Sequence, residues 1–257
     1  MRAIAFMNQK GGVGKTTCTV NLAAALAEAG QRVLLVDIDP QANASIHLAV
    51  EIHNLPRSIY HVLTGACTVR EAVQECRPRL SILPANIDLS GAEIELVNAV
   101  GRETILRDAL GLYLNEEPFD FILFDCPPTL GLLSLNALTA AREVIIPIQT
   151  EFFALQGMAK LLDVVQIIQR RLNHDLQITG IVPTLFDGRT ILGNEVVAEI
   201  RKFFGDKVFR TSIRNTIKLA EAPSHGKTIL EYAGDSMGAA DFRDLAREIL
   251  SRTAREV

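Results

Sequence analysis

Residues 9–17 read Q-K-G-G-V-G-K-T-T, and no other stretch of the chain restricts its fold so tightly. The run follows A-I-A-F-M (3–7), which is short, apolar and β-type, and precedes T-T-C-T-V-N-L-A-A-A-L-A-E-A-G (16–30), a helical pattern ended by Gly30. Gly11, Gly12 and Gly14 between a strand and a helix let the backbone curl so that successive N–H groups point inward, and the helix N-terminus adds partial positive charge. The pattern predicts a phosphate-binding loop in which Lys10, Gly11, Gly12, Val13, Gly14 and Thr17 line the cradle. In it Lys15 reaches the β- and γ-phosphates, and Thr16 offers its hydroxyl to Mg²⁺. The plainer alternative is a strand–helix turn without a ligand, and G-K-T-T in this setting weighs against it. Two details depart from the usual G-x-x-x-x-G-K-[ST] spacing: Gln9 stands where glycine is usual, and Lys10 adds a second cation to the loop.

The rest of the chain repeats the strand-then-helix alternation. Apolar runs at 32–39 (R-V-L-L-V-D-I-D), 80–84, 119–128 (F-D-F-I-L-F-D-C-P-P), 143–148, 178–186 and 207–209 read as further strands. Helical spacing is clear at 155–172 and 238–257, while 58–63 and 69–76 read as short helices joined by turns. Near-continuous apolar strands alternating with helices predict an α/β fold: a doubly wound, mostly parallel central sheet flanked by helices on both faces. A single domain spanning 1–257 is expected, and the loop's position near residue 8 implies no helix-turn-helix domain ahead of it. Ligands of such sheets sit beyond the carboxyl ends of the strands. Asp37, Asp39 and Asp125 stand there, with the 8–15 loop.

An NTP site needs a carboxylate at the end of an apolar strand to hold the metal. Asp125 after F-I-L-F fits, and Asp37 closes V-L-L-V in the same way. Asp39 opens the loop D-P-Q-A-N and is assigned to orient an attacking water, with Asp37 and Asp125 joining Thr16 around the metal. Asp before Pro is also an ordinary turn former, but two acids at a strand end beside a Mg²⁺ site favour a functional role.

Charge and cysteine content exclude other classes. The net charge is −4, so no domain-wide basic excess points to nucleic acid, although a local basic face remains compatible with it. Four cysteines at 18, 67, 76 and 126 form no C-x-x-C pair and suit neither zinc nor a disulfide framework. No signal peptide and no apolar run of membrane-spanning length is present, which predicts a cytoplasmic protein.

K-G-G-V-G-K-T-T, V-L-L-V-D-I-D-P-Q-A-N and F-I-L-F-D-C-P-P-T-L-G-L-L-S-L-N-A-L together resemble the deviant Walker A ATPases of the ParA/Soj type. The resemblance continues through 84–97, 147–162, 186–190, 204–213 and 219–229, essentially the whole chain. It implies a slow ATPase with ATP and Mg²⁺ as cofactors. ATP binding would form a homodimer that holds double-stranded DNA nonspecifically, and a ParB/Spo0J-like protein would stimulate hydrolysis. By the same resemblance Lys10 crosses the dimer boundary to the partner's phosphates, and Thr184 and Pro223 lie at the adenine. Arg189 and Lys218 carry DNA, with Arg214, Arg210 and Lys227 nearby in sequence. Residues 201–227 hold Arg201, Lys202, Lys207, Arg210, Arg214, Lys218 and Lys227 against Asp206 and Glu221, a local basic excess. The family often shows I-P-R-N-V-R-L where this chain reads I-R-N-T-I-K-L at 213–219. The expected function is DNA segregation from a nucleoid-associated location. Positioning of protein cargo and a MinD-like membrane role stay open as alternatives. The tail L-A-R-E-I-L-S-R-T-A-R-E-V is mixed in charge and lacks large aromatic anchors, so it reads as a packed helix and no membrane partner is expected.

Overall fold

The computed structural model describes residues 1–151, 154–155 and 158–253. Seven strands, β1 (Arg2–Phe6), β2 (Val33–Asp37), β3 (Gln74–Arg77), β4 (Leu80–Leu83), β5 (Phe121–Asp125), β6 (Glu143–Gln149) and β7 (Gln177–Thr184), form one sheet in the order β3-β4-β2-β5-β1-β6-β7. All neighbours run parallel except β3 and β4. Each inner strand is buried on both sides, which is why the sequence shows continuous apolar runs rather than alternation.

Alternate residues feed two separate cores. Ala3, Ala5, Leu34, Val36, Ile122 and Phe124 point into one core, and Ile4, Phe6, Val33, Leu35, Phe121 and Leu123 into the other. Helices α1 (Lys15–Glu28) and α2 (Asn43–His47) pack on the second core's face. Helices α3 (Ile59–Leu63), α4 (Val69–Ala72), α5 (Leu89–Glu95), α6 (Ile105–Leu114), α7 (Leu132–Ala140), α8 (Met158–Arg171) and α9 (Ile191–Phe204) cover the first. The chain then returns to the second face through α10 (Ile217–Glu221), α11 (Ile229–Tyr232) and α12 (Met237–Thr253), whose Phe242, Leu245 and Ile249 pack with Cys18, Leu22 and Leu26 of α1. Burying each such large apolar side chain contributes about 2 kcal/mol of transfer free energy. The fold is the doubly wound one expected.

Two expected elements differ. The pattern at 69–76 predicts one short helix, but the helix stops at Ala72 and Gln74–Arg77 is the antiparallel edge strand β3. Pro78 and Arg79 make the hairpin turn, with Arg79 at a left-handed φ of 64°. The tight turn sends the chain back along β4, and sheet pairing overrides the helical spacing. The expected strand at 207–209 is a 3₁₀ turn, Gly205–Lys207, followed by a lone bridge from Val208 to Ile181 of β7. Only Val208 and Phe209 lie between that turn and Arg210, too few to extend a ladder. Residues 156–157 of the expected 155–172 helix and 254–257 of the terminal one lie outside the described residues.

Candidate active site

The loop after β1 reaches α1 through Gly12 (φ 75°) and Gly14 (φ 84°), conformations that favour glycine. Gly14 is the N-cap of α1, and it provides no side chain to cap the helix; no acidic residue lies in the first turn. The N–H groups of that turn therefore face the loop without an intrahelical or side-chain acceptor, which is the condition for binding an anion. Lys15 is 8% exposed and sits in the same turn, with no ion pair to it among the described residues. The loop is held from below. Thr184 at the end of β7 donates its hydroxyl to the Val13 carbonyl at 2.8 Å, and both residues are buried. On the other flank Asn8 donates to the Pro147 carbonyl at 2.7 Å and accepts from the Lys10 N–H at 3.0 Å.

Sheet register brings the acids together. Asp125 is paired in register with Phe6 of β1 on one side and with Asp37 of β2 on the other. Neighbouring strands lie roughly 4.8 Å apart, so two fully buried carboxyl groups stand side by side. Thr16 donates to Asp125 Oδ2 at 2.7 Å and Thr19 to Asp125 Oδ1 at 3.2 Å. Asp37 accepts from the Ser45 N–H (2.8 Å) and hydroxyl (2.7 Å) and from the Asp39 N–H (3.3 Å). Asp39 turns back on its own loop, accepting from the Gln41 N–H at 3.0 Å.

Burial pushes Asp125 up to about 8, and the nearby Asp37 charge pushes the same way, against the Thr16 hydrogen bond and the Lys15 charge. Asp37 rises to about 7, again chiefly by burial, with the Ser45 hydrogen bonds opposing. Such a pair is uncomfortable alone, and a divalent cation relieves it. No group of three His, Cys, Asp or Glu that would cage an ion occurs among the described residues. A cation placed beside Thr16, Asp37 and Asp125 would have to take its other ligands from water and phosphate oxygens, and such an oxygen-only donor set would suit Mg²⁺.

A cleft of about 150 Å³ adjoins the loop, lined by Gly12, Thr17, Thr184, Asn215, Thr216 and Leu219 among others. Thr184 is thus both at the cleft and under the loop. Pro223 lies in the turn Ala222–His225 and does not line the cleft. Lys10 is exposed and pairs with Glu151 at 2.8 Å. Arg189 is 91% exposed, held by the Asp187 carboxylate at 2.8 Å. Lys218 pairs with Glu221 at 3.1 Å and sits over the Tyr232 ring. Arg214 is bound to the buried carboxylate of Asp241 at 2.5 Å, a contact that fixes the 213–215 segment to α12. All four cysteines are free, and burial drives each thiol upward, away from the character of a nucleophile.

The spacing of Thr19, one turn after Lys15 on α1, is a signal that sequence reading overlooks. Asn8 and Ser45 carry no comparable signal, since each acts through a partner far along the chain or across a loop. Asn21 of α1, fully buried, accepts the Ile229 N–H at 2.7 Å.

A family model described as an AAA domain matches residues 1–178. The sporulation initiation inhibitor protein Soj of Bacillus subtilis is 47% identical over 249 residues, covering 96% of this chain and 98% of that protein. The chain belongs to the ParA/Soj family. Another relative, the chromosome-partitioning ATPase Soj of Thermus thermophilus, is 47% identical over 98% of this chain and 96% of its own length. Among solved structures, the cobyrinic acid a,c-diamide synthase of Mycobacterium smegmatis with bound ADP and magnesium superposes with a TM-score of 0.88. It is 36% identical, covering 100% of this chain and 97% of that one. The cell division ATPase MinD of Pyrococcus furiosus gives 0.79 at 29% identity, covering 97% and 98%. The ParA/Soj assignment joins the glycine loop, the paired strand-end acids and the sheet order under one architecture.

Proposed function

We propose that this ParA/Soj-family chain is an ATPase of DNA segregation, in which ATP binding forms a homodimer that holds double-stranded DNA without sequence preference. The carrying observation is the uncapped N-terminus of α1, with buried Lys15 in its first turn and Thr16 bonded to Asp125 beside Asp37. The loop backbone from Lys10 to Thr17 and the Lys15 ammonium bind the phosphates; Thr16, Asp37 and Asp125 hold Mg²⁺, which neutralises charge on the phosphate oxygens. Asp39, on the loop after β2, orients the attacking water. The base lies in the cleft between Thr184 and the 215–220 segment, with Pro223 beyond its rim.

Lys10 supplies its ammonium to the phosphates of a second copy, releasing Glu151 as it does so. Residues 8–17 include no arginine to play that part, which supports slow turnover alone and faster turnover with a ParB/Spo0J-like partner. Arg189 and Lys218 are exposed cations with phosphate-binding chemistry, and a dimer doubles their number. Arg214 contributes by holding its segment rather than by a free charge. A cytoplasmic, nucleoid-associated location follows from this reading, with chromosomal or plasmid DNA, or cargo carried on it, as the load. No helix among the described residues is long and apolar enough to cross a membrane.

Sedimentation of the protein with ATP and Mg²⁺, with and without nonspecific DNA, tests the proposal. A dimer that forms only with ATP and cosediments with DNA supports it. A protein that stays monomeric and off DNA, or that sediments with liposomes instead, refutes it.

A further inference from the structure

Helix α2 is five residues long, yet two of its side chains reach opposite parts of the molecule. Ser45 gives both its N–H and its hydroxyl to one oxygen of Asp37, and its own oxygen accepts the Ala85 N–H at 3.0 Å. Two residues on, His47 meets the Lys227 carbonyl through Nε2 at 3.1 Å. Both side chains are buried, Ser45 completely. Burial holds His47 neutral, down to about 4, so Nε2 carries a proton and donates it to that carbonyl.

The seat of α2 is narrow. Ala42 before it and Ala49 after it both adopt left-handed φ, 52° and 62°, a conformation that alanine rarely takes. Gly226, next to Lys227, lies against Ala49; a Cβ there would stand 2.8 Å from the alanine methyl. Strain at both ends and contact on both sides show that α2 is held in place by its neighbours rather than by its own few hydrogen bonds.

We propose that Ser45 is a positioning residue for the Asp37 carboxylate, and that the brace from Ser45 through α2 and His47 to the 222–228 turn makes that positioning depend on how the turn is seated. The inference rests on the reading of Asp37 as part of the Mg²⁺ shell. The turn follows directly on α10, whose Leu219 and Ala220 line the cleft beside the loop. Filling of the cleft and placement of Asp37 are thus joined through one short helix. Ser45 touches no substrate and acts only by fixing which way the Asp37 oxygens face.

The test is calorimetric titration of ADP with and without Mg²⁺, on the parent chain and on Ser45→Ala, Ser45→Thr, His47→Leu and His47→Gln. A hydrogen bond to a charged group corresponds to roughly ten- to hundredfold in an equilibrium. Ser45→Ala is therefore expected to cut the Mg²⁺-dependent gain in ADP affinity by about tenfold or more, with Mg²⁺-free affinity unchanged. Ser45→Thr, which keeps the hydroxyl, restores the gain. His47→Leu lowers it by a smaller factor, and His47→Gln, which keeps a donor for the Lys227 carbonyl, restores it. The positioning role is overturned if Ser45→Ala keeps the full gain, or if Ser45→Ala and Ser45→Thr lose it alike, which marks packing rather than the hydroxyl. The brace is overturned if His47→Leu keeps the parental gain. A parent chain that binds ADP with no Mg²⁺-dependent gain overturns the metal reading itself, and the positioning role with it.

Discussion

Thr184→Val separates support of the phosphate loop from recognition of the base. Valine has nearly the shape of threonine and the same stiffness at χ1, so β7 keeps its geometry. What disappears is the 2.8 Å hydrogen bond to the Val13 carbonyl, between residues that are 2% and 1% exposed. Leaving that buried acceptor without its partner costs about 1–3 kcal/mol. At this chain length the melting temperature falls by roughly 2–4 °C for each kcal/mol, read by differential scanning calorimetry without ligand. Part of the cost is expressed as looser seating of residues 12–14, which affects every ligand that uses the loop N–H groups. Affinity for ADP, GDP and inorganic pyrophosphate should therefore drop by one common factor, about tenfold for 1.4 kcal/mol. Titration calorimetry on the three ligands measures it. Should ADP weaken while pyrophosphate binds as before, Thr184 serves the base alone and the loop-support argument fails.

Lys15→Ala removes the buried cation of the first turn and should abolish measurable ATP binding; parental affinity in the same titration would refute its placement at the phosphates. Asp39→Ala should arrest the protein as an ATP-bound dimer that still retains DNA, seen by size-exclusion chromatography, and parental turnover would show that the water is oriented by another group. Charge reversal of Arg189 and Lys218 to glutamate should abolish DNA retention and leave ATP-dependent dimerisation intact, and an unaffected gel shift would move the DNA face elsewhere. His47 gives a pH prediction. Its folded-state value of about 4 lies below the ordinary 6.5, so its contribution is fully present above pH 6.5 and is lost as pH falls through 4. The full size is about 3 kcal/mol, and His47→Gln should flatten that part of the acid limb in urea unfolding between pH 7 and pH 4.5. An unchanged acid limb would show that His47 is already charged in the folded protein.

What the sequence revealed was local. The glycines, Lys15 and Thr16 lie within one strand–helix junction, and their chemistry is readable from order alone. Asp37 and Asp125 were legible because each ends a strand buried on both faces, although their adjacency waited for the sheet register. Contacts set by chain return were not legible. The bond between Thr184 and Val13 spans 171 positions, and the ion pair of Arg214 with Asp241 spans 27. The latter turns a cation that looks available in sequence into one tied to α12. The edge strand Gln74–Arg77 was hidden for a different reason: Q-E-C-R is mostly polar, shows no strand alternation of apolar residues and runs on from the helical spacing that begins at Val69, so only the turn at Pro78 and Arg79 decides. Ser45 sits in a stretch of small residues whose importance comes entirely from what folds around it.

The bare first turn of α1 has a thermodynamic consequence. Most helices close their N-terminus with a serine, threonine or aspartate of their own, whereas this one begins at a glycine that offers nothing. An anion docked in the loop completes the helix, so occupancy and local folding of residues 11–18 are the same event. Hydrogen exchange in that turn is accordingly a direct gauge of loading: fast amides report an empty loop and slow ones a filled loop, with no label attached and no activity measured.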